Sequence, residues 1–255
     1  MNIILNGYNG QMGQVLINLI RSSTDTDLQV VAGIDPNCTK EHFPTFATAE
    51  ECHTPADVII DFSHHLAVSS ILEMARKRNL PLVIATTGIS EEVKAQMINT
   101  AQNIPVFHSA NMSFGINLMR RQLRMLVPAL EDTFNIEIVE AHHNKKKDSP
   151  SGTALLLADT ISGISKVERT YVFGRHGKQD ECTLSDIGIH AIRGGTIPGE
   201  HVVIFAGPDE VIEIKHSALS KNIFARGAIA AAKYLVTKTP GFYIMDDMLG
   251  EMEND

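Results

Sequence analysis

The stretch Ile3-Ile4-Leu5-Asn6-Gly7-Tyr8-Asn9-Gly10-Gln11-Met12-Gly13 decides how this chain is read. A short apolar run meets three glycines at three-residue intervals, and Met12, Val15, Leu16, Leu19 and Ile20 then recur at helical spacing. That pattern predicts a strand, a tight turn and a helix. Glycines there permit a sharp turn and leave backbone amides open at the positive end of the helix, where a dinucleotide fold places its phosphate loop. The spacing is GxxGxxG and not the commoner GxGxxG, so a tight strand-to-helix turn without ligand stays open as the plainer reading.

Outward from this turn the rhythm repeats. Val30-Val31-Ala32 follows, then Val58-Ile59-Ile60 with a helix through Leu66, Ile71, Leu72 and Ala75, then Leu82-Val83-Ile84 with a helix through Val93 and Met97, and finally Val106-Phe107. Apolar strands alternating with helices predict a parallel sheet covered on both faces, an α/β fold. Past Asn111 the rhythm changes. A helix around Leu118 to Leu130 leads into Phe134 to Val139, whose alternation predicts a sheet with one wet face. Ile187–Ile192, Val202–Phe205 and Val211–Ile214 are further strands without regular intervening helices. These predict a smaller α+β domain. A last helix, about Ile223 to Val236, ends before Pro240-Gly241 and an acidic tail.

The 255 residues are 44% hydrophobic and 20% charged, enough apolar material for one large domain or two modest ones. Twenty-two Lys and Arg against 30 Asp and Glu give a net charge of −8. That balance disfavours nucleic acid or an anionic membrane as a partner, because counterion-releasing contacts need a basic surface. The first residues lack a signal-peptide pattern, and no apolar run is long enough to span a bilayer. Cys38, Cys52 and Cys182 are odd in number and show no CxxC spacing, so a reduced, soluble, cytoplasmic chain with unpaired thiols is expected.

Asp35 closes the second apolar run, 22 positions after Gly13. Its carboxylate can accept two ribose hydroxyls of an adenosine, and it repels a 2′-phosphate. This favours NADH over NADPH, although Lys40 could reach the site. The other reading of Asp35 is a turn residue before Pro36.

The densest chemistry lies in Glu140-Ala141-His142-His143-Asn144-Lys145-Lys146-Lys147-Asp148-Ser149-Pro150-Ser151-Gly152-Thr153. Its lysines would attract an acidic small molecule. Pro150 and the small residues after it read as a helix start, so amides from Ser151 to Thr153 form a carboxylate cradle. Histidine transfers protons near neutral pH, and lysine stabilises developing negative charge. A solvated loop would explain the lysines equally. The paired histidines lack the HExxH or cysteine partners of a zinc site, so no metal is expected. His64, His65, His108, His190, His201 and His216 read as structural or solvated. Arg193, before Gly194-Gly195, could reach a substrate carboxylate or simply position a hinge.

Over nearly its whole length, from the GxxGxMG turn to Pro240-Gly241-Phe242-Tyr243, the sequence resembles the dihydrodipicolinate reductase family of diaminopimelate and lysine biosynthesis. The string Glu140-Ala141-His142-His143 with Lys146, Asp148 and Pro150 to Ala154 is the most specific piece. The resemblance implies an oxidoreductase that passes hydride from NADH or NADPH to a cyclic imine dicarboxylate. It implies His142 as proton donor, Lys146 as catalytic partner, and His143, Gly152 and Thr153 as substrate-binding residues beside Ser151. On the cofactor side it implies Gly7, Tyr8, Asn9, Gly10, Gln11, Met12 and Asp35, the strand end Ala85-Thr86-Thr87, and the crossing Ser109-Ala110-Asn111-Met112. Gln11 and Pro36 stand where many members carry arginines near the ribose phosphate, which puts NADPH preference in doubt. The implied domains are 1–111 with 218–255 for the Rossmann-like dinucleotide part, and 112–217 for substrate binding and assembly into a homotetramer.

Overall fold

The computed structural model describes residues 1–178 and 181–252. The chain forms two compact units, Met1–Ser113 with the segment from Lys221 onward, and Phe114–Ser220. Both junctions fall just before a helix begins.

The first unit opens with β1 (Asn2–Asn6), α1 (Gln11–Arg21), β2 (Gln29–Ile34), β3 (Thr45–Phe46), β4 (Val58–Asp61), α2 (Val68–Arg78), β5 (Leu82–Ile84), α3 (Glu91–Thr100) and β6 (Pro105–His108). The second holds α4 (Phe114–Leu130), β7 (Asn135–His142), α5 (Gly152–Ile164), β8 (Thr170–Phe173), β9 (Asp186–Arg193), β10 (Gly199–Ala206) and β11 (Val211–Ala218). The chain then returns with α6 (Asn222–Leu235), β12 (Gly241–Tyr243) and α7 (Met245–Met252).

The first sheet runs β12-β6-β5-β4-β1-β2-β3, with every paired neighbour parallel. This is a doubly wound, Rossmann-like sheet. Its interior strands are apolar on both faces because helices cover both: Val58–Ile60 and Leu82–Ile84 are wholly buried, and Ile71, Leu72 and Met97 pack over them. Leu66 is not on that helical face. It lies in a short 3₁₀ turn, 79% exposed, since the helix proper begins at Val68.

The chain past Pro240 does not simply end in a tail. Phe242 and Tyr243 pair with Val106 and Phe107 as an edge strand, and α7 buries Met245, Met248 and Leu249. Of the chain past Pro240, the last three residues, 253–255, lie outside the described residues.

The second sheet is mixed, ordered β11-β10-β7-β9-β8. One face packs Ile136, Ile138, Ile187, Ile189, Val203 and Phe205 against Leu123 and Val127 of α4 and Leu157 and Ile161 of α5. The sequence reading did not include β8 or the end of β11 from Lys215 to Ala218: β8 is only four residues long, and the end of β11 is polar, without an apolar stripe to mark it. Among the described residues no helix is long and apolar enough to cross a membrane, and the three cysteines are free.

Candidate active site

In the first unit the chain turns back at β1. Strand β2 lies on one side of it and β4 on the other, the switch point where open α/β sheets bind ligands beyond their strand ends. Gly7 sits at that end with φ of 76°, and a Cβ on it would lie 2.5 Å from the Phe62 carbonyl oxygen. A Cβ on Gly13 would lie 2.3 Å from the Gly7 oxygen, so the first helical turn can press directly onto the loop. Gly10, the N-cap of α1, makes no side-chain cap, and the first turn carries no acidic residue. The amides at this helix start therefore face a ligand position with no competing group from the chain, which fits a dinucleotide diphosphate.

Because all seven strands run the same way, the other segments expected from the sequence to meet a cofactor reach the same edge. Ala85 to Thr87 follow β5, and Ser109 to Met112 follow β6. Several side chains there are structural. Tyr8 is fully buried, its hydroxyl donating to the Thr39 carbonyl (2.8 Å) and accepting from the Thr39 amide (2.6 Å). Asn9 bonds the Asn37 carbonyl and the Thr39 hydroxyl. Thr86 donates its hydroxyl to buried Asp61, which also accepts from Asn6 and Ser63 and so ties the ends of β1, β4 and β5. Burial still pushes the Asp61 carboxyl up despite those bonds. Ser109 bonds Asn111 backbone, Asn111 caps the Ser113 amide, and Met112 is buried. At these positions the side chains are engaged within the protein. Gln11, Ala110 and Thr87 are exposed, and Met12 is half-buried. Asp35 Oδ1 accepts from the Asn37 amide at 2.9 Å, the turn role, while its second carboxylate oxygen makes no hydrogen bond among the described residues.

In the second unit, β7 alternates strictly, so the stripe that buries Ile136 and Ile138 continues as Glu140 and His142. Glu140 is fully buried and anchors the site. Arg193 grips it with two parallel bonds of 2.7 and 2.8 Å, the Ser151 amide donates to it at 3.0 Å, and His142 Nδ1 lies 2.6 Å from its Oε2. Burial works to raise the Glu140 carboxyl, but Arg193, His142 and Ser151 outweigh it and hold it below the usual carboxylate range. An ionised carboxylate has no proton to give, so Nδ1 carries one. Nε2 is then the position that exchanges protons, and it has no hydrogen-bond partner among the described residues. A Cβ at Gly199 would stand 3.0 Å from that nitrogen, so glycine there keeps it uncrowded.

His201 lies in register with Glu140, and its Nε2 meets the Ser151 hydroxyl at 3.0 Å. Burial, then the neighbouring His142, push its pKa down to about 4. It is therefore neutral at pH 7 and does not oppose a charge on His142, 5.2 Å away ring to ring.

Ser151 itself is not an open cradle residue. Its hydroxyl caps the Ala154 amide and its own amide is spent on Glu140. Pro150 precedes this N-cap and does not start the helix. Gly152 is exposed with open space where a Cβ would be, and Thr153 is half-buried. Lys146 turns inward, pairing with Asp148 Oδ2 at 2.8 Å, whereas Lys145 and Lys147 are exposed as in a solvated loop. The Lys146 bond, aided by the Gly152 amide, holds the Asp148 carboxyl below its ordinary range, so this helix start already accommodates a carboxylate. His143 Nδ1 is buried without a partner among the described residues. Among the described residues no three His, Cys, Asp or Glu side chains converge as a metal-ligand set.

Sequence reasoning missed Glu140, Arg193 and His201 as site residues. Glu140 was within reach, two positions before His142 on a strand of period two. Arg193 was not: it faces His142 only through the β7–β9 register, and its four terminal N–H groups are committed to Glu140, Asp148 and Ile192.

These features fit one class, the two-domain oxidoreductases that draw on a nicotinamide dinucleotide. Residues 1–112 match the family described as dihydrodipicolinate reductase, N-terminus, and residues 115–249 match its C-terminus. The chain belongs to the dihydrodipicolinate reductase family. A relative from Caldanaerobacter subterraneus, 47% identical over 98% of both chains, and one from Clostridium botulinum, 47% identical with the same coverage, are both named 4-hydroxy-tetrahydrodipicolinate reductase. The fold matches that of a dipicolinate-bound dihydrodipicolinate reductase from Paenisporosarcina at a TM-score of 0.80 and 20% identity, over 96% of this chain and 97% of that one. A myo-inositol dehydrogenase from Corynebacterium glutamicum shares the fold at a TM-score of 0.59 and 14% identity, over 95% and 90%.

Proposed function

We propose that the chain reduces 4-hydroxy-tetrahydrodipicolinate, or its dehydrated cyclic imine, to tetrahydrodipicolinate, with His142 as acid and Lys146 as its electrostatic partner. The observation that carries this reading is the Glu140–His142 pair: a buried carboxylate fixes one ring nitrogen and leaves the other free to deliver a proton. The bound dinucleotide supplies the hydride. Its holding groups are the backbone of Gly7 to Met12, the strand-end segments Ala85–Thr87 and Ser109–Met112, and Asp35 on the ribose. A reduced imine carries electron density that His142 Nε2 protonates and the Lys146 ammonium stabilises. The helix start at Gly152 and Thr153, where the substrate displaces Asp148 from the Gly152 amide, receives the two carboxylates of the substrate together with His143 and Lys146.

NADH is the preferred cofactor in this reading, because the free Asp35 oxygen suits ribose hydroxyls and opposes a 2′-phosphate. Assembly as a homotetramer is supported by the face of the second sheet opposite its helices, where Val139, Ile192, Val202, Ile204 and Val211 lie without a covering layer. Three free thiols and a reduced cofactor suit the cytoplasm. The test supplies freshly generated substrate from the preceding pathway enzyme and follows oxidation of NADH by absorbance. Substrate-dependent oxidation is expected, and its absence with both NADH and NADPH would refute the assignment.

A further inference from the structure

Helices α1 and α6 lie side by side and point the same way. At one end Lys221, the N-cap of α6, donates its ammonium to the Gln11 carboxamide oxygen at 2.5 Å, on the first residue of α1. At the other, Lys233 near the end of α6 pairs with Asp25, just past the end of α1, at 2.6 Å. Starts meet starts and ends meet ends, so the positive poles of both helices converge beside the glycine turn. Neither N-cap makes a side-chain capping bond, and neither first turn carries an acid.

Lys221 differs from the other lysines of its segment. Lys233 and Lys238 are paired with carboxylates, whereas among the described residues Lys221 meets only a neutral amide. An exposed lysine bonded to a carboxamide contributes little to folding, so a mere tie between helices explains neither its charge nor its position well. The exposed chain around Asp35 and Lys40 lies beyond β2, whereas Lys221 stands at the helix start whose amides face the ligand position.

We propose that Lys221 is a cofactor-binding residue, the cation that meets the diphosphate bridge of the dinucleotide from the start of α6. This rests on the cofactor reading of the Gly7–Gly13 turn and adds to it a residue more than 200 positions away in sequence.

The test is binding without substrate. NADH and NADPH are titrated by nicotinamide fluorescence into the whole chain carrying Lys221→Met or Lys221→Arg, with Lys77→Met as a charge-matched control far from the turn. Thermal unfolding without nucleotide checks that each variant is folded. Lys221→Met is expected to weaken both dinucleotides about tenfold, as for a lost charge-assisted hydrogen bond, and arginine to restore most of the loss. ADP, which carries the diphosphate without nicotinamide, should lose competition in parallel. Equal binding by wild type and Lys221→Met overturns the proposal, and so does a loss confined to NADPH, which would put the lysine at the 2′-phosphate. A wild-type chain that binds neither dinucleotide refutes the cofactor reading itself, which separates the two failures.

Discussion

Arg193→Ala isolates what the buried carboxylate of Glu140 needs. Both guanidinium bonds to Glu140 vanish, together with the bond to the Asp148 carbonyl, and a fully buried carboxylate keeps only Ser151 and His142. Breaking a buried ion pair from one side costs about 3–5 kcal/mol, and because the Arg193 side chain is 19% exposed, water partly fills its place and the lower end, about 3 kcal/mol, applies. The sign with pH follows from the carboxyl. In the wild type its folded pKa is depressed, so the stability it confers is present above the unfolded value of about 4.3 and is lost only as pH falls through the lower folded value. Without Arg193 the effect of burial prevails and the carboxyl rises. Taking up a proton on Glu140 then relieves the variant. The deficit should be largest near neutral pH and shrink on acidification toward about pH 5. Since the chain has no tryptophan, urea unfolding is best followed by circular dichroism at both pH values. A deficit under about 1 kcal/mol at neutral pH, or one that grows on acidification, would refute the account of Glu140 as a buried anion held by Arg193.

His142→Gln keeps a polar side chain beside Glu140 but removes the acid, and turnover should fall roughly a hundredfold with smaller change in KM; steady-state kinetics that match wild type would remove it from the reaction. Lys146→Ala should raise KM and lower turnover together, since it takes away both the attraction for a dianion and the charge near the reacting centre; if only Lys145→Ala did so, the inward lysine would have been misassigned. Gly13→Ala puts a methyl 2.3 Å from the Gly7 oxygen and should cost about 1–3 kcal/mol and weaken nucleotide binding, whereas Gly10→Ala, at the helix N-cap with its nearest neighbour 3.3 Å away, should lower thermal stability by clearly less. Equal melting temperatures for the two alanine variants would contradict the tight turn.

Sequence alone determined the strand, turn and helix around Gly7–Gly13, the parallel sheet of the first unit and the sites' chemical composition. These depend on periods of two and 3.6 residues and on glycine, signals carried within a dozen neighbours along the chain. The same locality put Glu140 and His142 on one strand face. It could not show that Tyr8, Thr86 and Ser151 spend their side chains inside the protein, or that Arg193 and His201 close around Glu140. Nor could it bring Lys221 to Gln11. Those outcomes depend on strand register and helix pairing between distant segments, where a shift of a single residue turns every side chain to the opposite face, and only the folded chain fixes that choice.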